Sequence, residues 1–389
     1  MWTGITIIGY TYLAYPTLLW ILSLLKTKSK KDSTKQDDLP TVALIVCAYN
    51  EEDYILEKLK NSLELNYPSH LMQLYFVLDG SDDSSVDVLK EFNTPEGPDL
   101  NILFDPIRSG KVGAMNHAMK NVTQDIAIFT DANSILNPLA IQNLINHFNE
   151  PSIGMVAGEK RIKQGNDIKA SQGGEGLYWR YESTLKNLES RVYSTIGAAG
   201  ELFAIRSSLY KTLPDDLIIE DFYLSMKVAL QGYKVAYESN AIAYEYGSLN
   251  ISEERKRKVR IASGAFQVLG RLPGLLNFWS HPVLSWQYFS HRVLRWAVVP
   301  LLLPVIFVLS GIMAYEKDGM YTYLFLIQLV FYGMAILGMV FRNNKSQITL
   351  FYVPFYMVFM NTCMIEGLIR HLRNDHTVNW EKSRRASSS

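Results

Sequence analysis

Three short polar clusters, each following an apolar run, hold many of the side chains able to do chemistry: Tyr49-Asn50-Glu51-Glu52, Asp79-Gly80-Ser81-Asp82-Asp83 and Thr130-Asp131-Ala132-Asn133-Ser134. A single aspartate after a strand is commonly a turn or cap residue. Three such clusters at successive strand ends would face one crevice. Carboxylates gathered there suit a hard divalent cation and the hydroxyls of a sugar or ribose. A soft-metal site is not indicated, because the seven histidines cluster neither with one another nor with the two cysteines. Phosphate-loop chemistry fails as well. Gly110-Lys111 is followed by Val112, Asp105 stands where such a loop needs its first glycine, and no GxGxxG follows the first apolar run. A nucleotide bound here would be held by aspartates and a metal.

The elements that must position these clusters alternate along the chain. Apolar runs at 42–48, 74–78, 102–104 and 126–129 read as buried strands. Residues 51–65, 85–92, 111–121 and 138–148 read as the helices between them, with Pro138 tolerated in a first turn. The alternation predicts an α/β domain whose parallel sheet is covered by helices on both faces, with ligands beyond the carboxyl ends of the strands.

That domain is flanked by a different texture. Across 389 residues Lys+Arg and Asp+Glu each total 38, so no net basic excess points to nucleic acid as a partner. Charged residues make up 20% of the chain against 48% hydrophobic. Residues 1–25 carry no charged side chain and are long enough to cross a bilayer. No basic segment precedes them and no small-residue cleavage site follows, so an anchor is expected rather than a cleaved signal. Lys26, Lys28, Lys30, Lys31 and Lys35 come next in a linker closed by Pro40, which predicts a cytoplasmic domain in the cell membrane. Apolarity returns at 297–314, 321–341 and 348–368, suggesting about three further spans within 297–369. Residues 286–296 mix aromatics with His291, Arg292 and Arg295, a composition suited to the lipid headgroup layer. Three C-terminal spans would leave the basic tail, 370–389, on the wrong side for the charge rule. Either the last segment does not cross or the tail breaks the rule. Both cysteines, Cys47 and Cys363, lie in apolar surroundings and read as packing residues.

The ordered motifs carry a resemblance. Ala48-Tyr49-Asn50-Glu51-Glu52, Leu78-Asp79-Gly80-Ser81, Gly110-Lys111 through Ala114-Met115-Asn116, Asp131-Ala132-Asn133, Ile219-Glu220-Asp221 and Arg257-Lys258-Val259-Arg260 resemble family 2 glycosyltransferases, over roughly residues 39–270. The flanking membrane segments are arranged as in the branch with cellulose, hyaluronan and poly-N-acetylglucosamine synthases. The resemblance implies a GT-A-like, Rossmann-like domain at 41–270 between an anchor at 1–25 with its basic linker, 26–40, and an interfacial region at 271–296. It implies inverting transfer from a UDP-sugar to a saccharide or lipid-linked acceptor, with Mg2+ or Mn2+ and with synthase or secretion partners. Asp79 then matches the carboxylate at the uracil, Asp131 the first acid of the DxD motif, and Asp221, next to Glu220, the general base. Tyr49, Glu51, Lys111, Arg257 and Arg260 join the donor site. Arg260 is the natural guanidinium for the diphosphate, since arginine matches phosphate oxygens in a fork.

Three departures stand out. Asn133 replaces the second acid of DxD as a candidate metal ligand. The QxxRW motif appears as Arg257-Lys258-Val259-Arg260-Ile261, without its Gln and Trp. Arg292-Val293-Leu294-Arg295-Trp296 mimics it but falls in the interfacial segment, so the catalytic motif is expected at 257–261. Tyr178-Trp179 fits a core pair or a sugar platform, and Gly197-Ala198-Ala199-Gly200-Glu201 fits a ligand contact or a strand entry. A non-catalytic nucleotide-binding subunit of a synthase complex is the alternative function.

Overall fold

The computed structural model describes residues 1–26, 39–92, 97–163, 171–246, 250–317, 319–341 and 349–375. The lysines at 28–35, Asp318, residues 342–348 and the basic tail beyond 375 lie outside them. The chain opens with α1 (Trp2–Gly9) and α2 (Tyr15–Leu24), joined through a wider π turn at Tyr10–Ala14. There follow β1 (Val42–Ala48), α3 (Glu52–Leu63), β2 (Met72–Asp79), α4 (Ser85–Glu91), β3 (Asp99–Asp105), α5 (Gly110–Met119) and β4 (Ile126–Asp131). The second half of the domain contains β5 (Ile135–Leu136), α6 (Ala140–Ile145), β6 (Ile153–Lys163), α7 (Ser171–Val192), β7 (Leu202–Arg206), α8 (Glu220–Leu230), β8 (Lys234–Tyr246) and α9 (Ile251–Arg271). After α10 (Pro282–Tyr288) and a π segment at Phe289–Val298 come α11 (Val299–Glu316), α12 (Met320–Val340) and α13 (Thr349–Leu372).

One mixed sheet runs β3-β2-β1-β4-β7-β6-β8-β5. Its first four strands are parallel, as the alternation requires. The expectation of an all-parallel sheet fails at β7, which runs antiparallel to both β4 and β6, and at β5, antiparallel to β8. The reason is the route of the chain. β7 enters from the edge where β4 ends, with Leu202 opposite Thr130, so its leading residues stand beside Asp131.

The period-two alternation of β1 builds both cores. Ala43, Ile45 and Cys47 join the layer containing Phe129, Phe203 and Met115, while Val42, Leu44, Val46 and Ala48 join Ile55, Leu59 and Phe76 on the other face. The turn after β4 is pinned from below by Lys58 of α3, fully buried, whose ammonium donates to Thr130 Oγ1 (2.9 Å) and the Ser134 carbonyl (2.7 Å).

Among the described residues, four helices are long and apolar enough to cross a membrane: Trp2–Leu24, Pro282–Glu316, Met320–Val340 and Leu350–Leu372. The first is tied to the domain by polar contacts. Tyr15 donates to Glu189 Oε1 of α7 (2.6 Å), and His291 Nδ1 lies 2.7 Å from the same oxygen. The polar residues of 286–296 thus turn inward rather than toward headgroups: His291 and Arg292 are buried, and Arg292 pairs with Glu182 at 2.7 Å.

Phe129 is 2% exposed and stacks on Phe203, with ring centroids 5.0 Å apart. Phe129→Ala should cost about 3–5 kcal/mol of stability, read as a lowered midpoint of thermal unfolding in detergent. A change under about 1 kcal/mol would show that this layer is not part of the cooperative core.

Candidate active site

The first two polar clusters chiefly hold each other. Asn50, in the left-handed region at φ 52°, donates to Asp82 Oδ1 (2.6 Å) and accepts from the Asp82 N–H (3.0 Å), while the Glu52 N–H donates to Asp83 (3.0 Å). Glu51 is buried at the head of α3 and lines neither the main cavity nor the small hollow at Tyr49. Asp79 caps α5. Its Oδ1 accepts from the Ser109 N–H (2.8 Å) and hydroxyl (2.6 Å), and its Oδ2 from the Gly110 N–H (2.6 Å). These bonds satisfy amide groups that the first turn of α5 leaves without intrahelical partners. Tyr49 lies under the Arg108 guanidinium, 3.6 Å from its ring centroid, and shares the hollow with Asp79 and Lys111.

Capping α5 in this way aims Lys111 at the end of β4. Its ammonium donates to Asp131 Oδ1 (2.8 Å), pairs with Glu220 Oε1 (3.0 Å) and reaches the Gly200 carbonyl at 3.4 Å. Burial works against the Lys111 charge, but Asp131, Glu220 and Asp221 outweigh it and hold the ammonium well above its ordinary range. Gly200 permits this approach. A Cβ there would stand 3.0 Å from Lys111 Nζ and 3.4 Å from Asp221 Oδ2. Gly197-Ala198-Ala199-Gly200-Glu201 is therefore both the entry to β7 and a wall of the site.

Glu220 and Asp221 open α8. Burial, then the neighbouring Glu220 charge, push the Asp221 carboxyl from 3.8 up to about 7, with Lys111 opposing. Asp131 is also raised, by burial first and then by Glu245 and Glu201, again against Lys111. Glu201 and Glu245 both pair with the buried Lys160 ammonium.

A cavity of about 800 Å³ joins these groups to α9 and α13. Lys111, Asp131, Glu220 and Asp221 line one part, and Arg257 and Arg260 another. The two arginines differ. Arg257 donates to Glu254 at 2.9 Å, whereas Arg260 makes no hydrogen bond or ion pair with any described residue. Burial lowers Arg260 from its ordinary value, while Glu220 and Asp221 oppose the shift. A half-buried guanidinium without a partner in a cavity is suited to an anionic ligand. Trp179, Arg292 and Trp296 also line the cavity, and Trp296 packs on Phe222, with ring centroids 5.1 Å apart. The Arg-Trp pair at 295–296 thus supplies an aromatic wall from outside α9.

The donor set has the hardness that Mg2+ or Mn2+ requires, but it is small. Asp131 Oδ1 is shared with Lys111, and Oδ2 accepts no hydrogen bond from a described residue. Asn133 is buried in the same turn and does not line the cavity. No three His, Cys, Asp or Glu side chains converge on a metal position among the described residues. Asp131 could hold such a cation only with further ligands supplied from outside these side chains.

Residues 43–213 match the model for glycosyl transferase family 2. That segment is thus similar to family 2 glycosyltransferases. Poly-beta-1,6-N-acetyl-D-glucosamine synthase of Staphylococcus aureus (strain MSSA476) is 27% identical over 251 residues, 62% of this chain and 59% of that protein. The Staphylococcus epidermidis protein of the same name is 27% identical over 247 residues, 61% of this chain and 57% of its own. The match thus spans less than two thirds of these relatives' length. The mannosyltransferase PcManGT of Pyrobaculum calidifontis, solved with GDP-Man and Mn2+, superposes with a TM-score of 0.71 over 95% of this chain and 98% of its own, at 20% identity. That likeness gives the glycosyltransferase domain a GT-A fold.

Arg260→Ala should weaken nucleotide diphosphate binding tenfold or more, because charge-assisted bonds contribute about 1.5–3 kcal/mol. Arg257→Ala should change it less than about threefold, by the same scale for a guanidinium already paired. Titration calorimetry of both variants in detergent decides, and equal effects would remove Arg260 from the anion site.

Proposed function

We propose that this chain is a membrane-anchored inverting glycosyltransferase acting on the cytoplasmic face. It moves a sugar from a UDP-sugar to a hydroxyl of a saccharide or lipid-linked acceptor. The observation that carries the reading is one cavity lined by Asp221, Lys111, Asp131 and Arg260 together. A sugar hydroxyl is a poor nucleophile, so a carboxylate must remove its proton as the new bond forms. Asp221, raised to about 7, matches that task better than an ordinary carboxylate. It takes the proton as the acceptor oxygen bonds to the anomeric carbon and the bond to the diphosphate oxygen breaks. Arg260 and Lys111 meet the negative charge growing on the leaving diphosphate. Asp131, with Asn133 as a neutral second candidate, would hold Mg2+ or Mn2+, which supplies further neutralisation of that charge. Glu220 keeps Lys111 in place and raises Asp221.

The names of the curated relatives make UDP-N-acetylglucosamine the first donor to test and a cell-surface polysaccharide or glycolipid the expected product. A non-catalytic subunit would have no use for a carboxylate held near neutrality beside an anion site.

Asp221→Asn should leave UDP affinity within about twofold and lower transfer by about 10²–10⁴, the usual contribution of a general base. The wild-type rate should rise with pH through about 7, because the base works deprotonated, and Glu220→Gln should move that midpoint downward by removing a neighbouring negative charge. A pH-independent rate or an active Asp221→Asn enzyme would remove Asp221 from the mechanism. Asp131→Ala should abolish the gain in UDP affinity on adding Mn2+, measured by calorimetry. An unchanged gain would place the cation elsewhere.

A further inference from the structure

We infer that α13 does not cross the membrane but lies along its surface, docked on α9, where it walls the catalytic cavity and rests its outer face on lipid. Length does not decide the matter, since α13 has 24 residues and about 20 suffice to span. Depth does. The helix follows α9 from end to end. Tyr352, Phe355 and Tyr356 cluster with Ile251 at the start of α9. Farther along, Glu366 accepts from Arg255 at 2.8 Å, and Gly367 lies so close to Ala262 that a Cβ would collide with it. At the far end the His371 ring stacks on Phe266, centroids 6.4 Å apart.

α9 itself cannot lie in hydrocarbon. Its first turns carry Glu253, Glu254, Arg255, Lys256, Arg257 and Lys258, and such charges are costly at membrane depth. Its second half is fixed to the soluble domain: the Gln267 side chain accepts from the Ile218 N–H at 3.2 Å and donates to the Asp216 carbonyl at 2.7 Å. Both ends of α13 therefore sit on the domain's side. The helix is also the most enclosed of the four apolar candidates, with 39% of its apolar stretch buried against 11–22% for the others.

The partner of its other face follows from chemistry. Leu350, Val353, Met357, Ile369 and Leu372 are exposed on the side away from Tyr352, Cys363 and Gly367. An apolar stripe continuous with the membrane helices α11 and α12, on a helix carrying Arg370 and His371 in its last turn, fits the boundary between headgroups and acyl chains. Three crossings remain: the first helix, α11 and α12. They return the basic tail to the side of the lysine linker, which removes the conflict with the charge rule. Because Met360, Cys363, Met364 and Glu366 line the cavity, the catalytic site is bounded by this lipid-facing helix.

The test is the sidedness of single cysteines in sealed membrane vesicles, probed with an impermeant maleimide and read independently of transfer. Lys227→Cys reports the domain, Tyr315→Cys the distal end of α11, and Asn374→Cys the end of α13; all three positions are exposed. The natural chain, whose two cysteines are buried, gives the background. Asn374→Cys is expected to label from the same side as Lys227→Cys and the opposite side from Tyr315→Cys. Oxidation of the double variant Phe266→Cys/His371→Cys in the same membranes should link α9 to α13. Labelling of Asn374→Cys together with Tyr315→Cys, or no cross-link in folded protein, overturns the inference.

Discussion

The site depends on one half-buried ammonium. Lys111 stands between Asp131 and Glu220, at 2.8 and 3.0 Å, beside Asp221. Three carboxylates drawn out of water into one wall would otherwise repel one another and favour protonation. The cation makes their gathering tolerable, although burial still raises Asp131 and lifts Asp221 to about 7. Its position is set by backbone. Asp79 fixes the first turn of α5, Gly200 leaves room for the ammonium, and Lys58 holds the turn after Asp131 from beneath.

The second half of the molecule brings distant elements to this centre. β7 reverses direction so that Gly200 and Glu201 arrive beside Asp131. The segment before it is held by Glu189, which accepts from the Ile196 N–H at 3.1 Å, and by Arg292, which donates to the Ile196 carbonyl at 2.7 Å. Since Glu189 also receives Tyr15 of the first apolar helix, that helix and the wall of the cavity share one polar network. Removing one partner of such a buried network leaves an uncompensated charge and is destabilising.

The parallel half of the sheet was legible in the sequence because β1, β2 and β4 are short apolar runs ending in polar clusters. The resemblance to family 2 glycosyltransferases singled out Asp131, Lys111, Asp221 and Arg260, and they meet in one cavity. What the sequence concealed depends on tertiary context. The run at 202–206 has no feature that reveals its direction, so the antiparallel turn of the sheet was missed. Asp79 and Asp82 also serve the fold, since their oxygens accept from the start of α5 and from the Asn50 side chain. His291 and Arg292 belong to a segment that reads as headgroup-facing, and packing turns them inward because Glu189 and Glu182 wait there as buried carboxylates. Composition alone cannot distinguish a side chain facing lipid from one facing a buried carboxylate.

The central claim is that this cavity transfers a glycosyl group. Its most direct test is the release of UDP from UDP-N-acetylglucosamine by the purified chain in lipid nanodiscs supplied with a membrane extract as acceptor, followed with Mn2+ and again with excess chelator. Steady, repeated release of UDP with Mn2+, stopped by the chelator and accompanied by sugar incorporation into the extract, is the expected result. Binding of UDP without release from this or any other UDP-sugar would contradict the claim.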